Sequence, residues 1–253
     1  MRMIITELYK LFHRKEFYIS IGILASFSLL FAILIGTDSN VMEISGGGIS
    51  GAMFTAFVVQ FISGFLGMAI FVGITVASIW SGEISDGTIA TMILKAKNRR
   101  ELFVGKLLAT YLSGIIYVAS TIICSSLFYI LIGRYGSKYN PNYFDVVEND
   151  YITFIYTTLL FVLFSTSLIT LLSMKFSQMK ALLAMLGILI LTKILEKVDS
   201  IKTILPTYIT DVQRIFTDSM DSKTILFTTM IIVVYISILN LGSYTIFKRM
   251  DVK

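Results

Sequence analysis

Glu83, Asp86, Gly87 and Thr88, followed by Ile89, Met92, Arg99, Arg100 and Lys106, form the stretch whose residue types and spacing are best suited to chemistry. Two acids precede a Gly-Thr pair and basic residues close the segment. That set can complement helix ends and present charge to a partner surface. Elsewhere the chemical inventory is thin. A single Cys (Cys124) excludes an internal disulfide, and with a single His (His13) it leaves a His/Cys metal site without ligands. No phosphate loop is present: Gly105-Lys106 is followed by Leu107, and Arg100 stands where the first Gly of G-x-x-x-x-G-K-[ST] belongs.

The elements that position this stretch are apolar. Of 253 residues, 56% are hydrophobic and only 15% charged, and the mean hydropathy is +0.83. Residues 53–80 and 107–133, on either side of the 81–106 loop, contain no Asp, Glu, Lys, Arg or His. Such runs exceed the roughly 20 residues that cross a ~30 Å hydrocarbon core as a helix, and they are far too long for barrel strands. Spans are expected at 17–36, 53–80, 107–133, 151–174, 176–195 and 224–247. The fifth has a charge-free core of only 181–192, so it must start about a turn earlier, and Lys193 must snorkel or face protein. The expected fold class is an all-α membrane protein with one six-helix transmembrane domain over 1–253.

Six spans put both termini on one side. Fourteen of the 21 Lys and Arg fall on that side, in the N-terminal segment, the 81–106 loop, the turn with Lys175 and Lys180, and the C-terminal tail. The positive-inside bias makes that side cytoplasmic. Residues 1–16 carry charge throughout and lack a compact apolar core, which argues against a cleaved signal peptide. A net charge of +5 spread in this way is no nucleic-acid signature, and no nucleic-acid partner is expected.

Within the segment 1–16, Ile4, Ile5, Leu8, Leu11 and Phe12 follow helical spacing, with Glu7, Lys10 and Arg14 off that stripe. Such a helix lies in the membrane interface, either as a topology anchor or as a lever beside a moving partner. In the 81–106 loop, Ser81 can cap a short helix whose start carries Glu83 and Asp86. Asn98 and Glu101 have capping-box spacing for the next helix. The loop therefore reads as helix, basic turn, helix. In the opposite loop, 196–223, Ile201, Ile204, Leu205, Tyr208, Ile209, Val212 and Ile215 keep helical spacing, interrupted by Pro206. They form either a reentrant element or an interfacial cap, with Ile204, Leu205, Pro206, Tyr208 and Ile209 as candidates for an outer gate. Ala69, Gly73 and Ala77 repeat every four residues, a face for close helix approach. Both prolines, Pro141 and Pro206, fall in loops, so no span is expected to be proline-kinked.

The pattern Glu83-Ile84-Ser85-Asp86-Gly87-Thr88, then Met92-Ile93-Leu94, Asn98-Arg99-Arg100-Glu101 and Gly105-Lys106, resembles the loop after the second span of ABC-2 type transporter permeases. The six-span layout, the size and the N-terminal interfacial helix share in the likeness. One departure is Lys97-Asn98, where relatives often carry Pro or Ser before the basic pair. The resemblance implies an ABC-2 exporter fold whose 81–106 loop is a coupling helix on a separate ATPase subunit. Glu83, Asp86, Gly87, Thr88, Ile89, Met92, Arg99 and Arg100 are its coupling residues. It further implies that the chain is no enzyme and binds no cofactor, ATP and Mg belonging to the partner. The chain would pair with a second copy or a second permease in a bacterial plasma membrane, in contact with lipid. In style it is similar to exporters of antimicrobial or cytolytic peptides, such as phenol-soluble modulin exporters and bacteriocin-immunity systems, which implies a peptide-like substrate moved by alternating access.

Other classes compete. A drug or lipid exporter would have the same plain spans. An ion-coupled transporter usually keeps an ionisable residue near the midplane and broken helices; the spans read as lacking both, although Gly64 and Gly67 leave room for a break. An intramembrane metalloprotease needs a cluster such as H-E-x-x-H, which a single His cannot supply.

Overall fold

A computed structural model describes residues 2–37, 49–95, 98–137, 139–144, 148–198, 202–208 and 222–250. Its described residues are almost entirely helical, with no β-strand beyond one isolated bridge between Ile49 and Tyr139. The chain runs through α1 (Arg2–His13), α2 (Lys15–Gly36), α3 (Gly51–Gly64), α4 (Gly67–Ala77), α5 (Glu83–Ser85) and α6 (Thr88–Lys95). It continues through α7 (Arg99–Leu131), α8 (Glu148–Ser173), α9 (Gln178–Leu195) and α10 (Ser222–Arg249). Among the described residues, six helical stretches are long and apolar enough to cross a membrane, one overlapping each expected span. This is a multi-pass membrane protein.

α7 is the central helix, packed by α1, α2, α3, α4 and α8, while α9 and α10 leave most of their apolar surface uncovered. Small residues set the closest approaches. A Cβ on Gly114 would stand 2.7 Å from Val162 Cγ1, and one on Gly73 would stand 2.7 Å from both Leu182 Cδ1 and Met185 Cε. The Ala69-Gly73-Ala77 face is therefore buried inside the chain, where Gly73 admits α9. Asn240 donates to Tyr111 Oη (2.6 Å), which shares a hydrogen bond with Ser167 Oγ (2.7 Å), a polar tie across three helices.

The apolar run 53–80 is not one helix. It breaks after Gly64, and Leu66 takes up a left-handed conformation (φ 59°) before α4 begins. No proline causes this. Gly64 and Gly67 flank the turn, and a Cβ on Gly67 would meet the Ile62 carbonyl oxygen at 2.8 Å, so only glycine fits there. The Ser50 side chain accepts from the Met53 N–H and caps α3. At its far end α4 runs on through a π-helical turn, Ser78–Gly82, into α5.

Candidate functional site

Glu7, Lys10 and Arg14 sit at i, i+3 and i+7 on the N-terminal segment and share one face. That face turns inward. Leu11 is buried beside Glu7, whereas Ile5, Tyr9 and Phe12 are exposed. The charged stripe of α1 thus faces protein together with Leu8 and Leu11 of the expected apolar stripe, while Ile5 and Phe12 of that stripe face out. The reason is across the contact. Lys106, about two turns into α7, is completely buried, and its ammonium bonds Glu7 Oε2 at 3.0 Å and Glu83 Oε2. A buried ammonium is tolerated only with charged partners, and α1 supplies one of them.

Glu83 is the hub. It receives Lys106 on one oxygen and Arg14 on the other at 2.8 Å, with Lys10 at 3.7 Å. Lys10 also meets Glu7 Oε1 at 3.3 Å and Met92 Sδ at 3.3 Å, and Arg14 donates to Ser78 Oγ at 2.6 Å. Three cations and two carboxylates thereby join α1, the π turn, α5, α6 and α7. The π turn inserts an extra residue into the helical register just before Glu83. It also directs Ser81 Oγ onto the Phe176 carbonyl (2.8 Å), tying the turn before α9 to the cluster. Trp80 is fully buried against Phe103 and Phe247, with the Lys106 ammonium 5.9 Å from its ring centre.

Ser81 therefore lies inside a continuing helix and caps nothing. The helix ends instead at Gly87 (φ 68°), where left-handed backbone suits glycine, and Thr88 Oγ1 donates back to the Glu83 carbonyl at 3.1 Å. Asn98 does hold the N-cap position of α7, but its side chain makes no capping bond, and only its carbonyl accepts, from the Glu101 and Leu102 N–H groups. Arg99 donates to the carbonyls of Lys248 (2.9 Å) and Met250 (3.2 Å), closing the C-terminal end of α10. Both ends of the described chain thus lie at the Arg99 end of α7.

The eight residues read as coupling residues separate into two groups. Glu83 and Ile89 are buried, Met92 is half-buried under Lys10, and Arg99 is engaged with α10. Asp86, Gly87, Thr88 and Arg100 are exposed. Leu94, on the outward side of α6, is 85% exposed. Of the outer-gate candidates, Ile204, at the end of the short turn Lys202–Ile204, is exposed, Leu205 is half-buried, and Pro206 and Tyr208 are buried. Ile209 and most of the expected amphipathic segment lie outside the described residues.

A second charged feature was foreseen only as an awkward lysine. Lys193 on α9 donates to the Gly64 carbonyl at 2.9 Å, and so sits on the break between α3 and α4. The 76 residues that separate Glu7 from Glu83 hid the main cluster. Its signal was the i, i+3, i+7 stripe, together with a lysine immediately before the third span. No known family model matches this chain, and no curated protein sequence matches it either.

Proposed function

We propose that the chain is the transmembrane permease subunit of an ATP-driven exporter of the ABC-2 kind, with its ATPase on a separate subunit. The observation that carries this reading is the exposed turn Asp86-Gly87-Thr88 with Leu94, mounted on a buried charge cluster. Exposed loops in membrane proteins are ordinarily free to move. This one is tied through Glu83 and Lys106 to the interfacial helix and the central span, so a push on it is passed to the bundle rather than absorbed.

The coupling roles then divide. Asp86, Gly87, Thr88, Leu94 and Arg100 make the contact with the ATPase, and Glu83 transmits from behind it. ATP-driven closure of the partner would tilt α4 through the π turn and α7 through Lys106, opening the opposite side of the bundle. The uncovered faces of α9 and α10 offer surface for a second permease. Cargo that enters from the bilayer, such as an amphipathic peptide, suits spans whose exposed surface is apolar. The test is purification of the chain from its native membrane followed by measurement of co-eluting ATPase activity. Asp86→Arg and Leu94→Asp should abolish that activity while the chain stays folded, and unchanged activity in both would overturn the reading.

One observation favours a second reading, ion-coupled transport: the second span is broken and a lysine lies on the break. Uptake or export driven by an imposed proton gradient in vesicles free of ATP would select it.

A further inference from the structure

The break between α3 and α4 leaves a cleft of about 450 Å³, bounded by Gly64, Phe65 and Leu66 on one side and by Lys193, Ile194 and Lys197 on the other. We propose that this cleft binds one anionic phospholipid, with the phosphate held between Lys193 and Lys197 and the acyl chains along the exposed face of α9.

Charge comes first. Both polar side chains of the lining are ammonium groups, Lys193 in the last turn of α9 and Lys197 in the turn just past its end, and no carboxylate lines the cleft among the described residues; Glu196, between them in sequence, is not part of it. Lys193 spends one N–H on the Gly64 carbonyl, which fixes the ammonium at the cleft wall and leaves two donors for a ligand. Two ammonium groups at one apolar opening favour an anion, and a phosphate diester has oxygens that accept from both.

Position decides that the anion belongs to a lipid. α9 starts at Gln178, next to the turn tied to Ser81 and hence at the charge-cluster end. Lys193 lies fifteen residues on, about 22 Å along the helix at 1.5 Å per residue. Against a hydrocarbon core of about 30 Å, that is the depth at which a lysine reaches the head groups of the opposite leaflet. The approach is apolar throughout: Phe65 is 72% exposed, and Ile190, Leu191 and Ile194 are exposed beside it. Acyl chains can lie along that surface while the phosphate sits at head-group depth, an arrangement a free anion does not exploit. A volume of this size also accommodates a head group and the first carbons of two chains.

The inference does not depend on the transport reading. It is tested on the full chain in detergent by native mass spectrometry and thermal unfolding, with phosphatidylglycerol against phosphatidylcholine. One phosphatidylglycerol per chain should bind and raise the unfolding temperature, with phosphatidylcholine ineffective. Lys193→Met with Lys197→Met should weaken that binding about tenfold or more, and Lys193→Arg with Lys197→Arg should keep it. Equal binding of both lipids, or full retention by the double Met variant, would overturn the proposal. Displacement by millimolar inorganic phosphate would also overturn it, by assigning the site to a free anion. Should the Met variant not fold, a photoactivatable phosphatidylglycerol on the unaltered chain decides: labelling of 64–66 or 190–197 supports the site, and labelling confined elsewhere refutes it.

Discussion

Glu83→Gln is the sharpest perturbation of the charge cluster, because it keeps the side chain's volume and removes only its charge. In the native arrangement three cations share two carboxylates, and Glu83 holds contacts to Arg14, Lys10 and Lys106. The substitution leaves those three cations around Glu7 alone. Removing one member of a buried ion pair costs about 3–5 kcal/mol, most of it from stranding the partner charge, and Lys106 has no solvent to turn to. Lys106→Met behaves differently. It leaves Lys10 with Glu7 and Arg14 with Glu83, two balanced pairs at the geometry already present. Its expected cost is smaller, about 1–3 kcal/mol. In the double variant the missing ammonium relieves the excess positive charge, so the two effects should fall short of additivity by about 1–3 kcal/mol. Reversible unfolding of the four proteins in mixed micelles, titrated with a denaturing detergent, gives all the terms of the cycle. Additivity within about 0.5 kcal/mol, or a Glu83→Gln protein as stable as the parent, would refute the claim that these charges act as one unit.

Other outcomes follow from single contacts. Gly114→Ala should destabilise by about 1–3 kcal/mol, since its Cβ would run into the stiff Val162 side chain. Gly73→Ala should cost under about 1 kcal/mol, because the ends of Leu182 and Met185 can swing aside; the same unfolding titration compares them. Gly87→Ala should cost about 1 kcal/mol from its positive φ alone, as no atom lies within 4 Å of the new Cβ. Arg99→Met should free the end of α10, seen as faster amide hydrogen exchange over 246–250 with the rest of the helix unchanged.

The spans were legible because charge-free runs of such length have few alternatives to a membrane helix. Even the fifth, shortened by Lys193, was recoverable by starting it near 176; the helix begins at Gln178. What the residues concealed is where helices bend and which way they face. Gly64-Phe65-Leu66-Gly67 is as apolar as its surroundings, so the break has no polar or proline marker, and only the glycine spacing hints at it. The π turn at Ser78–Gly82 likewise depends on tertiary packing, through Ser81 on Phe176 and Trp80 on Phe103 and Phe247. Apolar periodicity alone could not show that the Glu7, Lys10 and Arg14 side of the N-terminal segment packs inward beside Leu11, because its countercharges, Glu83 and Lys106, lie far away in sequence. The site was half visible. The exposed Asp86-Gly87-Thr88 turn stood out, but Glu83 reads as a contact residue until the burial of Lys106 makes it a strut.

The most direct test of the proposed coupling is a photoreactive amino acid placed at Leu94, activated in native membranes with and without ATP. The account predicts a covalent adduct to a nucleotide-binding subunit, identified by mass spectrometry, that changes in yield when ATP is supplied and disappears in Asp86→Arg. Adducts to lipid alone, or a nucleotide-binding subunit captured equally well from a probe at Tyr9, would contradict it.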